Sequence, residues 1–161
     1  MAITPHPVRP DTDLELVRET DITPEAVWAA WTTPALIVQW FTPAPYRTTH
    51  AEIDLHPGGI FRTVMVSPEG DESDGDGCVL DVVPGERLVW TSALGPGFRP
   101  VPGPMPFTAV IEVSAAPGGG TRYRAVAMHQ TPEDRQQHAD MGFHAGWGAA
   151  FDQLVALMRS R

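Results

Sequence analysis

The sequence predicts a single α+β domain in which a curved, seven-stranded antiparallel sheet packs against a long C-terminal helix. Three observations predict this fold: one strand pattern near the N-terminus, six more strand patterns separated by short turns, and an amphipathic pattern near the C-terminus. Consecutive strands joined by short turns pair antiparallel, and one amphipathic helix over a sheet makes a two-layer domain. The domain is expected to comprise residues 13–161, preceded by a flexible, Pro-rich lead-in at residues 1–12.

The first predicted elements are a strand and two short helices. Leu14 and Leu16 alternate with polar residues, which is typical of a half-buried strand of about eight residues. Residues 23–25 (Thr-Pro-Glu) predict a helix start, with an N-cap hydroxyl, a proline in the first turn and an acid beside it. A second Thr-Pro pair at residues 33–34 ends this helix and begins another, which is expected to end near Trp40.

Six further strands are predicted in the middle of the chain, at residues 48–55, 60–66, 78–83, 87–93, 107–115 and 121–129. The segments between them carry Gly and Pro at positions typical of turns. The acidic stretch at residues 72–77 is interpreted as a solvated hairpin tip. It resembles the first half of a calcium loop, but Val83 stands at position 12, where such a loop needs a bidentate Glu.

Residues 131–134 (Thr-Pro-Glu-Asp) predict the start of a final helix that runs to Met158. Its apolar face is expected to consist of Met141, His144, Trp147, Phe151, Leu154, Val155 and Met158. Gly142, Gly146 and Gly148 form a patch of small residues on this helix. Close approach of the helix to another element is the favoured explanation, and room for a cavity is the other.

Charge and composition exclude several classes of function. The chain carries 11 cationic and 20 acidic residues, for a net charge of −9, and every cation is Arg. This balance argues against nucleic-acid binding, which depends on neutralising phosphates, and against a basic helix on a membrane surface. Because no membrane-spanning run or signal-peptide pattern is present, a cytoplasmic protein is expected. The single cysteine, Cys78, excludes an internal disulfide and a multi-Cys zinc site.

Cys78, His129 and His144 are the candidates for chemistry inside the fold. If these groups converge, they could bind a metal or act in acid–base chemistry. The simpler interpretation is two hydrogen-bonded core histidines and an inert buried thiol, since zinc sites recruit locally spaced clusters that this set lacks. Glu52 is a further candidate, for which an exposed position on the outer sheet face is the ordinary explanation.

Four motifs together resemble a known family. They are PEAVWAAW at residues 24–31, EIDL at 52–55 followed by PGG at 57–59, VPGERLVWT at 83–91 and GFHAGWG at 142–148. They resemble the START-like (SRPBCC, birch-pollen-allergen-like) superfamily and, within it, the group similar to the activator of heat-shock protein 90 ATPase (AHSA1-like). The resemblance implies a helix-grip fold, with two short helices between the first and second strands. It also implies a cavity under the C-terminal helix that often holds an apolar or aromatic ligand.

The leading functional hypothesis is that the protein binds a small apolar or aromatic molecule in this cavity. The residues expected to line it are Trp31, Phe61, Met65, Trp90, Phe107, His129, His144 and Trp147. Burial of apolar ligand surface would supply affinity at about 25 cal/mol per Å², and the two histidines would orient a polar group. No metal, cofactor or catalytic residue is predicted.

Two other functions stay open at this stage. A co-chaperone or stress-response role requires an exposed apolar patch, expected at residues 98–105. Direct stimulation of a chaperone ATPase is not expected, because the eukaryotic co-chaperone joins this domain to a separate N-terminal domain. A polyketide cyclase- or aromatase-like enzyme would instead use His129 or His144 as its general acid–base. The sequence is compatible with a homodimer without indicating one, and its exclusive use of Arg hints at a bacterial source.

Overall fold

The computed structural model describes residues 3–161 and has the predicted α+β architecture. In chain order its elements are β1 (Asp13–Thr20), α1 (Pro24–Thr32), α2 (Pro34–Trp40), β2 (Arg47–Ile53), β3 (Ile60–Val66), β4 (Glu72–Val83), β5 (Arg87–Thr91), β6 (Leu94–Gly95), β7 (Arg99–Pro100), β8 (Phe107–Ala115), β9 (Thr121–His129), α3 (Pro132–Asp140) and α4 (Phe143–Arg159). Within the described residues, no helix is long and apolar enough to cross a membrane.

The seven longer strands form one antiparallel sheet in the order β1-β9-β8-β5-β4-β3-β2, while β6 and β7 pair only with each other. The register shifts between Thr48 and His50 in β2 and between Val79 and Asp81 in β4. Such bulges bend a strand and increase its twist. They therefore help to curve the sheet around the helices, and the helix-grip fold predicted from the sequence is confirmed.

The interpretation of residues 72–77 as a hairpin tip is wrong, because this stretch forms the first half of β4 and pairs with β3. The turn lies at residues 67–71 instead. Arg62 explains why an acidic, Gly-rich segment can join the sheet. Its guanidinium lies 2.8 Å from Asp74 and 3.5 Å from Asp76, so a cation on the neighbouring strand offsets their repulsion.

The predicted final helix is in fact two helices. Gly142 has a φ of 94°, in the left-handed region, so α3 ends before it and α4 begins after it. A left-handed residue cannot continue a right-handed helix, and glycine adopts this conformation at the lowest cost. The predicted apolar face is therefore wrong at two positions, since Met141 is 68% exposed and His144 is also exposed. The residues of α4 that are buried are Phe143, Gly148, Ala150, Phe151, Leu154 and Val155.

His6, in the segment before β1, lies against the outer face of the sheet. Glu112 and Arg124 form an ion pair there, on the neighbouring strands β8 and β9. The backbone N–H of His6 donates to Glu112 at 3.0 Å, and its carbonyl accepts from Arg124 at 2.7 Å. The predicted lead-in is thus hydrogen-bonded to the sheet, and its flexibility stays a prediction.

Two glycine substitutions test the helix break. Neither Gly142 nor Gly146 has a heavy atom within 4 Å of an added Cβ, so the two positions differ mainly in backbone conformation. Gly142→Ala is expected to lower the free energy of unfolding by about 1–2 kcal/mol, because alanine is strained in the left-handed region. Gly146→Ala, inside α4, is expected to raise it by roughly 0.5–1 kcal/mol.

Urea denaturation of the two variants beside the wild type measures both changes. Equal stabilities for the two variants would contradict the assigned role of Gly142.

Candidate functional site

A cavity of about 400 Å³ lies between the concave face of the sheet and the helices. This volume falls within the range of small-molecule pockets. Four of the five tryptophans line it, namely Trp31, Trp40, Trp90 and Trp147. Three methionines, Met65, Met105 and Met141, also contribute to its wall. The interior is therefore mainly aromatic and thioether surface.

Glycines in β4 form part of the cavity wall. Phe61 on β3 and Trp90 on β5 come from the two strands that flank β4, and their rings stack at 4.5 Å with an interplanar angle of 8°. A Cβ at Gly77 would lie 2.7 Å from the Phe61 carbonyl oxygen, so no side chain fits there. A Cβ at Gly75 would meet nothing within 4 Å. Gly75 therefore leaves open a space that a side chain would occupy, whereas Gly77 must be glycine because backbone atoms lie too close for a side chain.

A few polar groups interrupt the apolar lining. The Tyr123 hydroxyl accepts a hydrogen bond from Nε1 of Trp31 at 3.2 Å, and burial raises the pKa of Tyr123 well above its usual range. The hydroxyl is therefore neutral and keeps its own hydrogen. Trp90 is only 7% exposed, and its Nε1–H has no acceptor among residues 3–161. The indole N–H of Trp90 is thus a buried donor that the described residues leave unpaired.

His138 is the titratable group of α3 that reaches the cavity. Its Nδ1 lies 2.8 Å from Nε2 of His129, at the end of β9, and Nδ1 of His129 lies 2.9 Å from the backbone oxygen of Thr12. Burial first, and the neighbouring His129 second, lower the pKa of His138 to about 4. His138 is therefore a neutral imidazole near pH 7.

Six of the eight side chains predicted to line the cavity do surround it: Trp31, Phe61, Met65, Trp90, Phe107 and Trp147. The other two, His129 and His144, lie outside the lining. His129 is buried behind His138. His144 is on the exposed side of α4, where its Nε2–H donates to the Glu15 carbonyl at 3.0 Å.

Cys78, His129 and His144 consequently do not form one site. The Cys78 thiol is buried and donates to the carbonyl of Val79 at 3.4 Å. Glu52 also lies apart from the cavity, on the exposed sheet face, where it pairs with Arg62 at 3.1 Å.

The sequence reasoning missed His138. This histidine stands in a strongly polar stretch, Arg135-Gln-Gln-His-Ala-Asp, and gives no apolar periodicity of its own. It is nevertheless the buried residue of α3. The available signal was Gly142, because a glycine after a helical pattern is typical of a helix C-terminus. A break at that residue frees α3 to pack separately from α4.

A second depression, of about 600 Å³, is less suited to hold a ligand. It is open to solvent and is lined in part by Arg18, Asp21 and Arg159. Both arginines already pair with carboxylates, Arg18 with Asp152 and Arg159 with Asp21. The aromatic cavity is therefore the candidate site.

The lowered pKa of His138 predicts a pH-dependent stability. Because the folded-state pKa is about 4 and the ordinary value is 6.5, the fold favours the neutral ring. The free energy of unfolding therefore keeps its full value above about pH 6.5. It is expected to fall by an amount on the order of 1–3 kcal/mol as the pH falls towards 4.

Urea denaturation between about pH 7 and pH 4 measures this loss. The wild type is expected to lose more stability over that range than His138→Phe, which keeps an aromatic ring and cannot titrate. If the free energy of unfolding changes with pH in the same way for both proteins, the lowered pKa of His138 is refuted.

Solved structures from several bacteria are similar to this chain, whereas no curated protein matches it. A protein from Nitrosomonas europaea is 44% identical, with a TM-score of 0.91, over 95% of this chain and 97% of that one. A protein from Rhodobacter sphaeroides is 26% identical, with a TM-score of 0.80, over 94% and 95%. The AHSA1 protein from Silicibacter pomeroyi shares the fold at 23% identity and a TM-score of 0.65, over 91% and 97%.

The family whose sequences match this chain is described as "Activator of Hsp90 ATPase homolog 1-like protein", and the match covers residues 21–159. This range includes both short helices, six of the seven long strands and both C-terminal helices. The chain therefore belongs to the activator of Hsp90 ATPase homolog 1-like family.

Proposed function

We propose that this protein binds a small apolar or aromatic molecule in the cavity between the sheet and α4. The observation that carries the proposal is a cavity of about 400 Å³ walled by aromatic rings, in a domain whose other core side chains are buried. Protein interiors are normally close-packed, with few voids larger than a water molecule. Gly75, Gly77 and Gly146 line the cavity, and an alanine at Gly75 or Gly146 would meet no neighbour.

The rim of the cavity supports entry of a ligand. Met141 lies at the junction of α3 and α4, where it is 68% exposed and also contributes to the lining. Met105 contributes from the loop that precedes β8. Methionine side chains are flexible and polarizable, so they can adapt to differently shaped ligands. A two-ring aromatic molecule fits the size and chemistry of this space.

The expected affinity is weak. Removing about 200 Å² of apolar ligand surface from water contributes on the order of 5 kcal/mol, before the loss of translational and rotational freedom. Since about 4 kcal/mol corresponds to a dissociation constant of about 1 mM, binding in the millimolar range is expected for a hydrocarbon probe.

The exposed surface gives less support to the co-chaperone hypothesis. Among residues 3–161, the large exposed apolar side chains are Val17, Tyr46, Leu55, Phe98 and Met141, and they belong to different segments of the chain. Residues 98–105, predicted to form an apolar patch, contribute one of them, while Met105 is turned to the cavity. A chaperone partner and a homodimer stay predictions from the sequence.

Tryptophan indole signals provide a direct test with naphthalene as the probe. In spectra of protein labelled with ¹⁵N-tryptophan, naphthalene is expected to shift the indole N–H signals of Trp31, Trp40, Trp90 and Trp147, which line the cavity. Trp28 packs against the core outside the lining, so its signal serves as the internal control. Shifts of equal size at all five signals, or at none, would contradict binding in the cavity.

Filling the cavity provides the matched variant. Gly146→Leu places an isobutyl group where the structure has open space, and it is expected to weaken naphthalene binding at least tenfold while the fold is kept. Gly146→Ala adds a single methyl group and is the control, with binding close to that of the wild type. Wild-type affinity in a folded Gly146→Leu variant would exclude this cavity as the binding site.

A further inference from the structure

We infer that the ligand is a neutral aromatic molecule with a hydroxyl group, and that this hydroxyl donates a hydrogen bond to Nε2 of His138. His129 acts as a positioning residue that sets the protonation of the His138 ring. The inference rests on the proposed function and narrows the class of ligand from any apolar molecule to an aromatic alcohol.

The position of each proton follows from a chain of hydrogen bonds. The Thr12 carbonyl can only accept, so Nδ1 of His129, at 2.9 Å, must carry a proton. When each ring carries one proton, Nε2 of His129 is bare and must accept. It lies 2.8 Å from Nδ1 of His138, which must therefore be protonated. Nε2 of His138 is thus left as a bare acceptor.

This acceptor lies on a ring that lines the cavity. The Nδ1 edge of His138 is turned to His129, which lies outside the lining. The ring packs against three lining residues, at centroid distances of 5.0 Å from Phe107, 5.3 Å from Phe143 and 6.1 Å from Trp147. Among the residues described, no donor meets Nε2.

The solvent accessibility of Nε2 agrees with this placement. Trp90 Nε1 is the one fully inaccessible side-chain polar atom without a partner in residues 3–161. Nε2 of His138 also lacks a partner, but it keeps some surface accessible to solvent. A purely apolar ligand that displaces water from Nε2 would leave this acceptor unpaired, which is unfavourable, whereas a ligand hydroxyl replaces the lost hydrogen bond.

The rest of the lining disfavours a charged ligand. No arginine lines the cavity in the part of the chain that the structure describes. A carboxylate would therefore lose its hydration without gaining a cation, which is strongly unfavourable. Asp76 also borders the cavity, but its carboxylate lies 3.5 Å from Arg62, on the exposed sheet face where Arg62 also pairs with Glu52. A neutral hydroxyl matches the bare imidazole nitrogen and leaves no charge buried.

The protonation pattern can be measured without any ligand. Spectra of protein labelled with ¹⁵N-histidine, recorded at about pH 8, where a typical histidine is neutral, distinguish protonated from bare ring nitrogens. Both His129 and His138 are expected to carry their proton on Nδ1. In His129→Phe, which cannot accept from His138, the His138 ring is expected to lose this fixed pattern. A proton on Nε2 of His138 in the wild type overturns the inference.

Ligand preference is measured with 1-naphthol and 1-methoxynaphthalene, which share a ring system but differ in the ability to donate a hydrogen bond. The ratio of their affinities is expected to be about fivefold more favourable to 1-naphthol in the wild type than in His138→Phe. Because His138 lines the cavity, His138→Phe also alters the shape of the site for both compounds, and the ratio of the two affinities isolates the contribution of the hydrogen bond. Urea denaturation beside the wild type shows that the variant is folded.

The outcomes separate this inference from the proposed function. If naphthalene and both derivatives bind, but the ratio of the affinities for 1-naphthol and 1-methoxynaphthalene is the same in wild type and His138→Phe, the inference is wrong and the proposed function stands. If none of the three binds the wild type, both are wrong. Loss of the preference in His129→Phe, together with its altered ¹⁵N pattern, supports the positioning role of His129.

Discussion

The left-handed backbone at Gly142 is the constraint on which the site depends. Without it, the pattern from residue 131 onward would continue as one helix, and His144 would occupy the position predicted for it on the apolar face. The break lets α3 pack separately from α4, so that His138 reaches Phe107 at a centroid distance of 5.0 Å. It also starts α4 with Phe143 buried, and Phe143 in turn contacts both His138 and Trp147.

The domain divides its interior into a filled half and an open half. Where β1, β9 and β8 meet α4, the packing is dense: Ala125 and Leu154 have no exposed surface, and Tyr123 stacks on Phe151 at 4.1 Å. Against β3, β4 and β5 lies the cavity instead, and Gly75 of β4 adds open space to it. Such a division permits a cavity in a stable protein, because close packing in one half offsets the contacts that the void forgoes.

Burial and hydrogen bonding act together on His138. Burial penalises the charged ring, and the bond to His129 directs the remaining proton to Nδ1. The backbone carbonyl of Thr12, just before β1, fixes the proton on His129, and His129 in turn fixes the proton on His138. This carbonyl therefore determines which nitrogen of His138 can accept a hydrogen bond in the cavity. The end of β9, helix α3 and the segment before β1 together place one hydrogen-bond acceptor, Nε2 of His138, in an aromatic cavity wall.

The sequence by itself determined the class of fold and the order of the seven long strands and the two short helices, because strand alternation and Thr-Pro helix starts are local signals. The cavity was expected from the family resemblance, and six of the eight side chains expected to line it lie around it. It did not determine which histidine faces the cavity. That choice depends on the left-handed φ of Gly142 and on the packing of α3 against the end of β9, and neither is visible in the polar sequence around His138. The strand at residues 72–77 was missed for a similar reason, since Arg62 on the neighbouring strand offsets its acidic charge. Only the tertiary structure brings such partners together, because they lie far apart along the chain.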